Sequence, residues 1–187
     1  MNLKNWTLFL DRDGVINKRK PGGYIENHAE FEFLPGVLDA LAILNEKFAI
    51  IVVVTNQQGI AKGIMTDVEL ANLHAYMLDK IAIAGGRIDK VYYCPEAAYL
   101  KPECRKPNTG MGLQAQADFP EIDFSRAILV GDSDSDIEFG KRLGMKTVWI
   151  NHNEVNAKRT LEISNQADLT VSSLIEFVEK MEIVCNA

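Results

Sequence analysis

"LFLDRDGVIN", residues 8–17, carries an apolar segment into two aspartates one position apart, with a glycine behind them. Two full charges 4 Å apart at an effective dielectric near 20 repel by roughly 4 kcal/mol, so something elsewhere in the chain must offset them. In an extended chain residues i and i+2 face the same way. Asp11 and Asp13 are therefore expected to share a face, with Arg12 pointing elsewhere and Gly14 permitting a sharp departure from the strand.

Similar apolar, β-branched runs recur along the chain. "WTLFL" (6–10), "AIIVVV" (49–54), "KVYY" (90–93), "AILV" (127–130) and "KTVWI" (146–150) read as strands. They are continuous rather than alternating, as strands covered by helices on both faces are. Between them lie helical patterns. "TDVE" is a capping box in which Thr66 and Glu69 can satisfy each other's backbone. Behind it Leu70, Leu73, Met77, Ile81 and Ala84 follow at helical spacing, until Gly85 and Gly86 end the run. Further helices are expected after Pro35, with Leu38, Leu41 and Leu44 or Asn45 inward, near Gly110, near Asp134, and over about 172–182. Alternating strands and helices give an α/β, doubly wound, Rossmann-like parallel sheet, whose ligand crevice lies at the carboxyl ends of the strands.

Three of those strands end in unusual polar clusters: Asp11-Arg12-Asp13-Gly14, Thr55-Asn56-Gln57-Gln58-Gly59, and Gly131-Asp132-Ser133-Asp134-Ser135-Asp136. Each alone reads as a turn, a loop or a solvated helix start. All three after apolar runs, on one rim of one sheet, form a pocket. Three carboxylates around a point call for a hard divalent cation, and Mg²⁺ with a substrate phosphate fits. "CRKP" adds two cations, Arg105 and Lys106, after the third strand.

The bulk composition agrees with a single globular domain over residues 1–187. The chain is 47% hydrophobic and 25% charged, with a formal net charge of −6. No apolar run is long enough for a membrane span, and the N-terminal segment lacks secretory features. The acidic balance, with "KRK" (18–20) the longest basic run, argues against a nucleic-acid partner. Three cysteines make no disulfide framework, so a reducing cytoplasm is expected. His28, His74 and His152 show no ligand spacing and read as structural or surface residues.

Together these motifs resemble the haloacid dehalogenase (HAD) superfamily of phosphohydrolases. Within it, "FLDRDGVIN", "FEFLPGV", "VVVTNQQGIAKG", "VYYCP" and "CRKPNTGM" resemble the heptose bisphosphate and histidinol-phosphate phosphatases, over about residues 6–151. The resemblance implies Asp11 as a nucleophile forming an aspartyl-phosphate, and Asp13 as general acid and base. It implies Mg²⁺ held by Asp11, Asp13 through its carbonyl, and Asp132, with Asp136 an outer partner of the metal or a brace for Lys106. Thr55 and Lys106 would bind the phosphoryl oxygens, with Asn56, Gln57 and Arg105 as further donors. Gly22, Gly23 and Tyr24 would form a loop over the substrate. No separate cap domain fits, since residues 14–35 hold only a loop.

Those phosphatases carry a structural zinc loop, Cys-x-His then Cys-x-Cys-Arg-Lys-Pro. Here Cys94 and Cys104 match, but Glu96 and Pro102 stand in the other two positions. Zinc is not expected, because two thiols and a glutamate make a poor cage; packing and Pro95, Pro102 and Pro107 should hold the loop instead. The resulting expectation is a monomeric phosphomonoesterase acting on a small phosphorylated metabolite. The first candidate is D-glycero-D-manno-heptose 1,7-bisphosphate, losing its 7-phosphate, and the second is histidinol phosphate. A receiver-type phosphoacceptor would carry its aspartate after the third strand, where this chain has "YYCPE". A silent binding protein would be expected to have lost one of these site residues.

Overall fold

The computed structural model describes residues 3–152 and 157–186. Its strands are β1 (Leu3–Leu10), β2 (Phe48–Asn56), β3 (Lys90–Cys94), β4 (Ala127–Gly131), β5 (Lys146–Ile150) and β6 (Leu169–Val171). They form one parallel sheet in the order β3-β2-β1-β4-β5-β6. The chain builds outward from β1 through β2 to β3, then returns to the other side of β1 with β4. That reversal leaves a crevice beyond the carboxyl ends of β1 and β4, where doubly wound sheets bind ligands.

The helices are α1 (Val37–Lys47), α2 (Asp67–Ile83), α3 (Gly110–Asp118), α4 (Asp134–Leu143), α5 (Ala157–Gln166) and α6 (Leu174–Asn186). Alternation along the strands feeds two cores. Leu8, Leu10, Ile51, Val53, Ile128 and Val130 pack on the face covered by α1, α2 and α6. Phe9, Ile50, Val52, Val54 and Leu129 pack on the other face, with Met111 and Ala115 of α3 and Phe139 of α4. Both faces are dry, hence the unbroken apolar runs.

The capping box of α2 forms, with Glu69 N–H donating to Thr66 Oγ1 at 3.2 Å and Thr66 N–H to Glu69 Oε2 at 2.7 Å. Leu70, Leu73, Met77 and Ile81 are buried as their spacing predicts. Ala84 is not: the helix stops at Ile83, leaving it an exposed cap before Gly85, which has positive φ. In α1 the inward residues are Val37, Ala40, Leu41 and Leu44, with Leu38 half-buried beside them. Asn45 instead donates to the Gly85 carbonyl at 3.0 Å. The sequence reading omits α5 and β6. "AKRTLEISNQ" has too few apolar residues to show a stripe, and three residues are too short a strand to stand out.

The loop after β3 differs from expectation in its chemistry. Cys94 and Cys104 are joined in a disulfide, their Cα atoms 5.3 Å apart, a span within disulfide geometry. With Glu96 exposed and Pro102 lacking a donor side chain, the two thiols are each other's partners. Prolines and packing are therefore not the loop's only restraint.

A thiol titration checks this. Unfolded without reductant, the protein should show one thiol, Cys185, and three after reduction. Reduction should cost about 2–3 kcal/mol for a closed loop of this length. Three thiols without reductant would contradict the crosslink.

Candidate active site

Asp11 leaves the end of β1, its N–H donating to the Val130 carbonyl of β4 at 2.9 Å. This bond holds its carboxylate at the reversal point, where it is almost fully buried. Lys106 arrives from the loop after β3, 3% exposed. Its Nζ donates to Asp11 Oδ1 at 2.7 Å and to the Val54 carbonyl at 2.6 Å, and pairs with Asp136 Oδ1 at 2.6 Å. All three ammonium protons are engaged. Burial works against the charge of Lys106, but Asp11 and Asp136 outweigh it and hold its pKa above the ordinary lysine value. Asp136 is depressed in turn: burial pushes it up, while Lys106 and two hydrogen bonds from Ser133 pull it lower.

Two glycines permit the convergence. A Cβ on Gly131 would lie 2.2 Å from that of Asp136, so only glycine lets the start of α4 close against β4. A Cβ on Gly14, whose φ is +94°, would lie 1.8 Å from Asp132 Oδ2. Trp149 Nε1 of β5 donates to the Asp132 carbonyl at 3.1 Å, fixing that aspartate beside the glycine.

Asp13 departs from the expected face. The chain bends at Arg12, beyond the last residue of β1, so strand alternation no longer applies. Arg12 is buried and turns back on its neighbour, its Nη2 donating to both Asp13 oxygens at 3.0 and 2.8 Å. Asn17 and Gln57 add bonds at 2.9 and 2.8 Å. Burial favours a protonated Asp13, but Arg12 and these bonds outweigh it and hold the group below its usual value. Carboxylate oxygens of Asp11, Asp132 and Asp136 lie within 4.8 Å of one another; the Asp13 carboxylate is outside that group.

Other expected residues are present in altered roles. The Asn56 amide is occupied by Lys106, donating to its carbonyl at 3.2 Å and accepting from its N–H at 3.0 Å. Gln57 Nε2 bridges Asp13 and Thr55 Oγ1, 2.8 Å from each. Both side chains thus hold neighbouring site residues in place. Thr55 is buried, its hydroxyl oxygen accepting from Gln57. Tyr24, Gly22, Gly23 and Arg105 line the mouth of the cleft, about 570 Å³ in volume. Arg105 Nη1 is buried and has no hydrogen-bond partner among the described residues. A side chain on Gly59 would come within 3.1 Å of the Tyr24 ring, so the loop of Tyr24 rests on the loop after β2.

Three residues escaped the sequence reading. Arg19, seen only as part of a basic run, pairs with Asp132 Oδ1 at 2.6 Å and donates through Nε to the Asp13 carbonyl at 3.0 Å. Arg12 and His74 are buried together, 3.1 Å apart. Their signal was present: a charge at the end of a buried strand, and a histidine on the Leu70–Leu73–Met77–Ile81 stripe.

The HAD-hydrolase-like family profile matches residues 103–177. The chain is 42% identical over 133 residues to a D-glycero-alpha-D-manno-heptose-1,7-bisphosphate 7-phosphatase of Mycobacterium tuberculosis, covering 71% of this chain and 70% of the relative. It is 39% identical over 147 residues to the beta-named enzyme of Vibrio cholerae, covering 75% and 77%. The crystal structure of D,D-heptose 1,7-bisphosphate phosphatase from B. bronchiseptica, complexed with magnesium and phosphate, superposes with a TM-score of 0.84. The two share 26% identity, over 94% of this chain and 97% of that one. The chain belongs to the heptose-1,7-bisphosphate 7-phosphatase family of HAD hydrolases.

In this phosphatase the donor set fits a hard divalent cation. Asp11 and Asp132 offer carboxylate oxygens and Asp13 a carbonyl, and the Arg19 guanidinium already spans Asp132 and that carbonyl as a stand-in cation. Burial, foremost, raises Asp11 to about 6, with Lys106 opposing and Asp136 adding to the rise. Burial also raises Asp132, helped by the charge of Asp11 against the pull of Arg19. A carboxylate raised on folding leaves the native state holding protons that the unfolded chain has shed. Metal-free stability from these groups is therefore full below about pH 4 and is lost as pH rises through about 6 for Asp11 and about 9 for Asp132.

A divalent cation needs the deprotonated forms. The thermal stabilisation by excess Mg²⁺ should therefore grow between about pH 5 and 9, with protons released on uptake. Calorimetry showing a pH-independent increment would contradict the arrangement. Lys106→Met should cost roughly 3–5 kcal/mol in metal-free denaturant unfolding, since it leaves two buried carboxylates unpaired.

Proposed function

We propose that this chain removes the 7-phosphate of D-glycero-D-manno-heptose 1,7-bisphosphate by way of an aspartyl-phosphate on Asp11. The observation that carries the reading is the buried ammonium of Lys106, 2.7 Å from Asp11 at the floor of an open cleft. A carboxylate nucleophile and a phosphate dianion repel each other, and a fixed cation between them lowers that barrier.

Asp11 attacks phosphorus and the sugar oxygen departs with a proton from Asp13. Water, giving its proton to Asp13, then cleaves the acyl phosphate and restores Asp11. At rest Asp13 is charged, so it must gain its proton on binding; the approaching phosphate dianion raises its pKa by like-charge repulsion. The Thr55 hydroxyl donates to a phosphoryl oxygen. When Asp11 becomes an acyl phosphate it loses its charge, and the Lys106 proton it held turns to the phosphoryl group. Asp11, Asp132 and the Asp13 carbonyl would hold Mg²⁺, which when bound neutralises phosphoryl charge.

The mouth of the cleft suits the rest of a bisphosphate. Arg105 has a buried N–H without a partner, a lack that costs about 1–3 kcal/mol and that an anionic oxygen would relieve. Lys62 lies 5.3 Å from the Tyr24 ring centre, adding charge on the same rim. Relatives of similar identity carry alpha and beta names, so both anomers enter the test.

Phosphate release with Mg²⁺ from both heptose bisphosphate anomers and from histidinol phosphate tests the reading. The expected result is a preference for a heptose bisphosphate and a loss of about 10⁴-fold or more in Asp11→Asn. Higher kcat/KM on histidinol phosphate would replace the substrate. Near-full activity of Asp11→Asn would remove the nucleophile.

A further inference from the structure

Asp13 is held by a second pair of buried residues that the reaction as described does not use. Arg12 is 1% exposed. Its Nη2 donates to both oxygens of Asp13, and its Nη1 lies 3.1 Å from His74 Nε2. A guanidinium can only donate, so His74 Nε2 is the acceptor and the ring proton sits on Nδ1. Burial, reinforced by the charge of Arg12, pushes the imidazole down to about 3 and keeps it neutral. His74 is fixed on α2, in the stripe of Leu70, Leu73, Met77 and Ile81, with its ring edge-on to Tyr93 at 6.0 Å. The buried N–H on Arg12 Nε has no partner among the described residues. Among the described residues the guanidinium is held by hydrogen bonds to His74 on one side and Asp13 on the other.

We propose that Arg12, oriented by His74, is a positioning residue for Asp13 and governs how well the site expels a poor leaving group. This rests on the assignment of Asp13 as general acid. Asn17 and Gln57 each reach Asp13 with one bond, whereas Arg12 spans both oxygens and fixes the plane of the carboxylate. Protonation of a departing sugar alkoxide needs that plane aligned, since the alkoxide is too basic to leave alone. A nitrophenolate leaves without such help. Loss of alignment should therefore appear with an alkyl phosphate and largely vanish with an aryl one, a contrast that general loss of structure does not produce.

The experiment compares kcat for heptose bisphosphate and p-nitrophenyl phosphate in Asp13→Asn, His74→Leu, His74→Gln and Arg12→Lys, each with its melting temperature. Asp13→Asn should lose about 10²–10⁴-fold on the sugar substrate and far less on the aryl one. His74→Leu should show the same contrast at about tenfold, and His74→Gln, whose amide oxygen can accept from Arg12, should restore most of it. Arg12→Lys keeps the charge but cannot span Asp13 and His74 together, so it should match His74→Leu. It also carries the test if His74→Leu fails to fold. Equal losses on both substrates in His74→Leu and Arg12→Lys, with the contrast intact in Asp13→Asn, would overturn the positioning role and leave the acid assignment standing. Equal losses in Asp13→Asn itself would overturn that assignment, and the proposal with it.

Discussion

One buried ammonium organises the reactive end of this molecule. Lys106 sits among Asp11, Asp136 and the Val54 carbonyl, away from bulk water. Burying three charges is expensive, and their mutual attraction offsets the cost only if every proton and lone pair has a partner. Here each ammonium proton has one. The cluster is therefore weak evidence of stability but strong evidence of purpose. A chain selected only for folding would do as well with apolar residues at these positions, whereas this one keeps a buried carboxylate and a cation in contact.

Topology makes the cluster possible. Asp11, Lys106 and Asp136 come from beyond β1, β3 and β4, and only the reversal of strand order opens a gap where the three meet. Side chains could not close the gap alone. Gly131 lets α4 press against β4, and Gly14 yields space to the Asp132 carboxylate. Asn56 then fixes the backbone of Lys106 from both sides, so the lysine is positioned by β2 although it belongs to a loop. The disulfide between Cys94 and Cys104 restrains the same loop two residues before Lys106. Strand end, amide clamp and crosslink act on one side chain from three directions.

Much of this was legible in the sequence. Continuous apolar runs read correctly because a parallel sheet buried on both faces leaves no polar alternation, and the polar tails of β1, β2 and β4 stand out against them. What the linear chain concealed was the direction in which each tail turns. Strand alternation placed Asp11 and Asp13 on one face, but β1 ends at Leu10 and the bend at Arg12 sends the Asp13 carboxylate toward Arg12, Asn17 and Gln57. The donors expected from Asn56 and Gln57 are likewise turned inward, because a buried amide takes the nearest partners. Arg19 was hidden for a different reason: its contact with Asp132 joins residues 113 positions apart, and no local pattern encodes such a distance.

The contrast between the two aspartates of the opening motif follows from their surroundings. Asp11 faces burial with a single ammonium in contact and is pushed up; Asp13 is met by Arg12, Asn17 and Gln57 and is pulled down. Two chemically identical side chains, two residues apart, are thereby given opposite electrostatic surroundings. A nucleophile benefits from poor solvation, which leaves its electrons available. A general acid is ordinarily raised rather than lowered, so the role proposed for Asp13 depends on the approaching phosphate to lift it. The repulsion posed by "DRD" is thus relieved in two ways: Lys106 lies against Asp11, and the bend at Arg12 carries Asp13 into a separate set of partners.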